Sequence, residues 1–153
     1  MLKIYFKLLN LLFLISSITN LSYAYVNLDN DNYNKQVNLS KEIWLIEFYS
    51  EKCSTCQEFS PIWEKLIKKI NYLTIGRVNI DENKGLSLAT KLNALNNGIP
   101  CIRLDFGNNK YDDIMTGTEE PFPNEKVLKQ RIDEIINKKG KLRDGKYFIN
   151  EEL

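Results

Sequence analysis

The 153-residue chain carries 21 Lys and Arg against 20 Asp and Glu, a net charge of +1, and 43% of its residues are hydrophobic. That length suits one domain with a sizeable core, and the balanced charge leaves no nucleic-acid footprint. Histidine is absent, which removes the commonest metal ligand and the usual catalytic base near neutral pH, and three cysteines are too few for a disulfide framework.

The first stretch has the pattern of a targeting segment. Lys3 and Lys7 form a positive start, residues 8–18 an apolar centre, and Ser22-Tyr23-Ala24 a small-x-small cleavage site. Residues 1–24 are therefore expected to be a signal peptide cut after Ala24. The apolar run is shorter than the roughly 20 residues that cross a bilayer, so no membrane span is expected after cleavage. The mature chain would enter an oxidising compartment in which a dithiol pair can cycle.

From Tyr25 the pattern alternates strand and helix. Residues 25–28 read as a short strand, and the Asp and Asn residues at 29–32 can cap a short helix through about Val37. Residues 43–49 form a run rich in branched and aromatic side chains, a buried strand. A helix follows from Cys53, with Phe59, Ile62, Trp63, Leu66, Ile67 and Ile70 on one face. The Cys53-Ser54-Thr55-Cys56 motif opens that helix. There the free N–H groups and the positive end of the helix dipole favour a thiolate on the first sulfur. This is the chemistry of a dithiol–disulfide exchanger.

Residues 73–80 read as a strand ending at Asp81, residues 86–92 as a modest helix, and Asn96-Asn97-Gly98 as a turn. Ile102, Leu104 and Phe106 alternate with Arg103 and Asp105, the pattern of a half-buried strand. Gly107-Asn108-Asn109 turns the chain back into residues 111–116, a hairpin. Pro121 and Pro123 precede a last helix capped by Asn124 and ended by Gly140, with Val127, Leu128, Ile132, Ile135 and Ile136 on one face. The domain is thus expected over residues 25–140, and the charged residues 141–153 as a mobile tail. Its end, Asn150-Glu151-Glu152-Leu153, resembles the Lys-Asp-Glu-Leu retrieval signal of the endoplasmic reticulum, departing at the first two positions.

Together these residues resemble the thioredoxin fold, over about residues 25–138. The element order fits a central mixed β-sheet flanked by helices. Glu47 lies six residues before Cys53, where such domains carry a buried carboxylate, and Pro61 five after Cys56, where their active-site helix kinks. Gly98-Ile99-Pro100 matches the family's cis-proline motif, and residues 78–81 match the end of its middle strand. Glu47-Phe48-Tyr49 is similar to the protein disulfide isomerase branch. The resemblance implies Cys53 as nucleophile, Cys56 as resolving cysteine and Glu47 as a proton relay with a raised pKa. It implies that Ile99 and Pro100 offer backbone to a substrate chain, with protein thiols and disulfides as substrates and a redox partner that recycles the pair. No cofactor or metal is expected. A signal segment with a retrieval-like end points to the lumen of the endoplasmic reticulum.

The departures bear on the redox poise. Lys52 stands where the family usually has Trp, Ser54 and Thr55 where strong isomerases carry His, and residues 117–119 lack the Arg that isomerase domains often keep. A poorer oxidant is expected. Cys101 reads either as a small buried hydrophobe or as a third thiol acting on the pair; a zinc site with all three cysteines would need a fourth ligand. Trp44 and Trp63 read as core. A client-binding chaperone and a scaffold subunit are the alternatives to an enzyme, and catalytic turnover of a protein disulfide separates them.

Overall fold

The computed structural model describes residues 25–150. Strands β1 (Val26–Asn27), β2 (Trp44–Tyr49), β3 (Thr74–Asn79), β4 (Cys101–Asp105) and β5 (Tyr111–Met115) form one sheet in the order β1-β3-β2-β4-β5. The pairs β1–β3 and β2–β3 are parallel, β2–β4 and β4–β5 antiparallel, so the sheet is mixed as the resemblance implied. Helices α1 (Ser54–Ile67), α2 (Asn83–Lys91) and α3 (Glu125–Lys139) flank it. The Asp29 side chain secures the turn into a short helical segment, Asn34–Asn38, by accepting from the N–H groups of Asp31 and Asn32.

Strand alternation divides the core. Ile43, Leu45, Ile102 and Leu104 face α1 and α3 and pack on Phe59, Trp63, Leu128 and Ile132. Trp44, Ile46, Phe48 and Cys101 face the opposite way, onto Tyr33, Val37, Leu88 and Ala89. Burying a side chain such as Phe59 or Leu66 contributes about 1.5–3 kcal/mol. The second face corrects the half-buried reading of β4. Both of its faces are covered, and Arg103 and Asp105 are buried at 1% and 2% exposure. They are tolerated because they are bonded. Arg103 donates to Asp113 and to the Leu92 carbonyl, at 2.7 and 2.8 Å. Asp105 accepts from the Tyr33 hydroxyl and the Gly107 N–H, at 2.6 and 2.8 Å.

A second correction concerns the chain after α3. The expected mobile tail is a hairpin through residue 149, β6 (Gly140–Arg143) paired antiparallel with β7 (Lys146–Ile149). Asp144 and Gly145 turn it with φ of 49° and 78°, the positive pair a two-residue hairpin needs. Backbone bonds lay β7 against the domain: Ile43 N–H to Tyr147 O, and Tyr147 N–H to Tyr72 O. Gly140 ends α3 in extended conformation, not the left-handed one; a Cβ there would lie 2.8 Å from Ile136 O and from the Tyr147 ring. The expected signal segment, residues 1–24, and the last three residues of the retrieval-like end lie outside the described residues.

Candidate active site

β2 ends at Tyr49, and the turn that follows is fixed from β3's end. Asp81 accepts from the Ser50 hydroxyl and the Glu51 N–H, each at 2.8 Å, and Ser50 in turn accepts from the Lys52 N–H. Cys53 leaves this turn as the N-cap of α1, in extended conformation. Its Sγ accepts from the Cys56 N–H at 3.2 Å and lies 3.0 Å from the Thr55 hydroxyl. Partial burial would push the Cys53 thiol up, but the hydrogen bonds from Cys56 and Thr55 outweigh it and hold its pKa below the ordinary value. Cys56, inside the first turn, is buried. That burial, with the bond to Cys53, pushes its thiol up to about 12. Both are free thiols. The two sulfurs are thus shifted in opposite directions, the first toward its thiolate and the second toward its thiol.

Glu47 is 1% exposed and lines the same cleft as Cys56, Gln57 and Ser60. Its register partner across the parallel pair β2–β3 is Arg77, whose Nε lies 2.5 Å from Glu47 Oε2. Burial drives the Glu47 carboxyl up to about 7, against the opposing pull of Arg77. The Arg77 guanidinium in turn sits over the Tyr49 and Tyr25 rings, at 4.0 and 5.0 Å from their centroids. Reasoning from sequence missed Arg77. Its signal is its place on β3, but only the parallel register shows that it faces Glu47.

Opposite the cysteines, the Ile99–Pro100 bond is cis, with Ile99 half-buried and Pro100 buried. The Ile99 carbonyl lies 3.4 Å from the Thr55 hydroxyl, a second and more distant acceptor for the proton that can also go to Cys53 Sγ. The loop at Gly117 packs backbone to backbone on this segment: a Cβ on Gly117 would fall 2.5 Å from Ile99 N and O. So Cys53, Cys56, Thr55, Ile99 and Pro100 meet at one end of the sheet, with Glu47 and Arg77 beneath. Cys101 does not join them. Its side chain belongs to the cluster on the other face, 3.8 Å from Asp113, and burial pushes its thiol up to about 12. The reading of Cys101 as a thiol that captures the pair has no support in this placement.

A family model described as Thioredoxin matches residues 24–134. The chain is similar to a Protein disulfide isomerase-like 2-3 of Oryza sativa subsp. japonica, 33% identical over 101 residues, 65% of this chain and 20% of that protein. It is similar also to the Protein disulfide-isomerase A6 of Mus musculus, 31% identical over 97 residues, 63% of this chain and 21% of that one. It thus spans about a fifth of the length of these relatives. A Thioredoxin of Buchnera aphidicola subsp. Acyrthosiphon pisum (strain APS) is 28% identical over 113 residues, 73% of this chain and 96% of its own. Among solved structures, the J-Trx1 fragment of ERdj5 superposes with a TM-score of 0.60 at 22% identity, covering 73% of this chain and 50% of that one, a likeness of fold.

Proposed function

Because the chain belongs to the thioredoxin family, we propose that it is a thiol–disulfide oxidoreductase, similar to protein disulfide isomerases, that exchanges disulfides with secretory-pathway proteins through Cys53 and Cys56. The observation that carries this reading is the asymmetry of the pair. Hydrogen bonds at the helix start lower the Cys53 pKa and so favour its thiolate, whereas burial pushes the Cys56 thiol up to about 12 beside a carboxyl raised to about 7.

In the reductive direction the Cys53 thiolate attacks one sulfur of a client disulfide. The client S–S bond breaks, the other client sulfur leaves as thiolate, and a Cys53–client mixed disulfide forms. The Glu47 carboxylate takes the Cys56 thiol proton through their shared cleft. The Cys56 thiolate then attacks Cys53 Sγ, releasing the second client thiolate. Two electrons pass from the pair to the client, and the pair becomes a disulfide that a redox partner must reduce. The reverse sequence oxidises a client dithiol. Ile99 and Pro100 present backbone across from Cys53 to hold the client chain extended. The setting is the lumen of the endoplasmic reticulum, reached by the 1–24 segment and kept by the 150–153 end.

Cys56→Ala traps mixed disulfides on Cys53, whereas Cys53→Ala traps none, read on non-reducing gels after alkylation. Equal trapping by both variants overturns the assignment. Client complexes that persist when both cysteines are replaced would instead favour a binding module. Deleting residues 151–153 releases the protein into the medium; full retention removes the retrieval role.

A further inference from the structure

The pole away from Cys53 carries a second concavity. β4 runs away from the cysteines, its Cys101 pairing with Phe48 and its Asp105 with Trp44, so Phe106 and the turn after it lie at the far end of the sheet. A cleft of about 760 Å³ opens there between that turn, the end of α3 and β7. Phe106, Tyr111 and Ile149 give it an apolar floor, and Lys110, Lys138 and Lys139 a cationic rim. An adjoining cleft of about 370 Å³ shares Lys110 and Ile149 and ends at Leu39, which is 69% exposed. No carboxylate lines either cleft among the described residues.

Two features make this more than a solvated basic face. Lys139 shares its charge with Asp112 at 2.6 Å, whereas Lys110 and Lys138 pair with no carboxylate among the described residues. The groove is also built by the C-terminal hairpin. The Ile149 N–H bonds Lys41 O at 3.1 Å, and the Asn150 N–H bonds Lys139 O at 3.0 Å. The match to the family ends at residue 134, before this hairpin begins.

We propose that this groove docks an acidic, extended segment of a partner protein, with an aliphatic or aromatic side chain seated on Phe106, Tyr111 and Ile149. A single cleft of this size lies within the roughly 300–1,000 Å³ of small-ligand sites, but its continuation into a second cleft suits a chain that crosses both. The apolar floor supplies affinity, and two lysines with no carboxylate partner among the described residues select the sign of the partner's charge. Docking at this pole leaves Cys53 and Ile99 open, so a client held here would meet the thiols at raised effective concentration. That last step rests on the proposed exchange activity; the docking itself does not.

The test is fluorescence anisotropy with the full chain and a labelled hexapeptide, Asp-Glu-Phe-Glu-Leu-Asp, with amide NMR shifts to locate it. The acidic peptide binds and shifts residues 106–111 and 146–150. Its Asn/Gln counterpart binds at least tenfold more weakly, as does the acidic peptide to the Lys110→Glu, Lys138→Glu double variant. Both lysines are exposed, so that variant folds and keeps wild-type reduction of a small disulfide. Raising ionic strength weakens binding. Absence of binding at millimolar peptide, equal binding of the neutral peptide, unchanged affinity in the double variant, or shifts centred on Cys53 each overturn the proposal. Self-association lost in the double variant assigns the groove to a second copy instead. Equal affinity for 4-hydroxyphenylacetate assigns it to a small aromatic acid.

Discussion

Two ion pairs are buried on opposite faces of the sheet, and they are built in reverse. In Glu47–Arg77 the acid is buried at 1% exposure and the arginine reaches water, its side chain 14% exposed. In Arg103–Asp113 the arginine is buried at 1% and the carboxylate is 27% exposed. Arginine keeps its proton at any pH a protein meets, so a buried arginine is a fixed charge that must always be neutralised. A buried glutamate is a charge that can be switched, because protonation relieves its desolvation. The first pair lies beneath the cysteines, where the proposed relay would use its switchable charge. The second lies between the Phe48 and Tyr111 rings and can only hold structure together.

Truncating the fixed charge has the larger expected effect. Arg103→Ala removes the bonds to Asp113 and Leu92 O and opens a hole against two aromatic rings. Breaking a buried pair costs about 3–5 kcal/mol, and the partial exposure of Asp113 points to the lower end, about 3 kcal/mol. Denaturant titration reads it as a lower midpoint. The exchange rate of the folded fraction stays at the wild-type value. A loss under about 1 kcal/mol, or a slower exchange step with stability intact, would dissolve the contrast between the pairs.

Glu47→Gln should do the opposite, altering chemistry and the pH dependence of stability. The Glu47 carboxyl rises from 4.5 to about 7 on folding, so the folded state holds this proton more tightly. Its stabilising contribution is complete below about 4.5 and is lost as pH rises through about 7, a loss of about 3 kcal/mol. Wild type therefore loses stability across that window at this site, and the variant does not. If Glu47 is the base for Cys56, the resolving step accelerates as pH rises through about 7 in wild type. The variant loses that rise and slows on the order of 10²-fold above neutrality. Arg77→Met removes a group that lowers the Glu47 pKa, so the wild-type profile moves to higher pH. Stopped-flow thiol trapping across pH separates the two; identical profiles in wild type and Glu47→Gln would falsify the relay.

What was legible in the sequence follows the same division. Local features were readable: the strand ending before Cys53, the cap at the helix start, Gly98-Ile99-Pro100, and Glu47 between apolar neighbours. Partners brought by register were not. Glu47 and Arg77 are 30 residues apart, and only the parallel pairing of β2 with β3 sets them side by side. Arg103 and Asp105 read as solvent-facing because alternation marks two faces without saying whether the second is covered. Here α2 and the 34–38 segment cover it, and Tyr33, Leu92 and Asp113 supply the bonds. The hairpin at 140–149 was a different failure. Asp144-Gly145 between Leu142 and Tyr147 is a two-residue turn signal, but the lysines and arginine around it gave the segment the composition of a tail.

The smallest expected effect tests how the switchable side is tuned at Cys53 itself. No imidazole is near this thiol, so its thiolate rests on the Cys56 N–H and the Thr55 hydroxyl, at 3.2 and 3.0 Å. Thr55→Val keeps shape and removes the hydroxyl. The Cys53 pKa should then rise, read from the pH dependence of thiolate absorbance. A hydrogen bond to a charged group contributes about 1.5–3 kcal/mol when buried, and partial exposure of Cys53 reduces this to about 1 kcal/mol. Because a stabilised thiolate makes the disulfide more oxidising, the variant's potential should fall by roughly 20 mV, taking 30 mV as about 1.4 kcal/mol. Thr55→His should move it the other way by placing a cation beside the sulfur. Wild type should lie nearer the thioredoxin end, about −270 mV, than the isomerase end, about −180 mV. Equilibration of all three against glutathione decides the matter. A wild-type value at the isomerase end, unmoved by Thr55→Val, would place the thiolate's support in a group other than this hydroxyl.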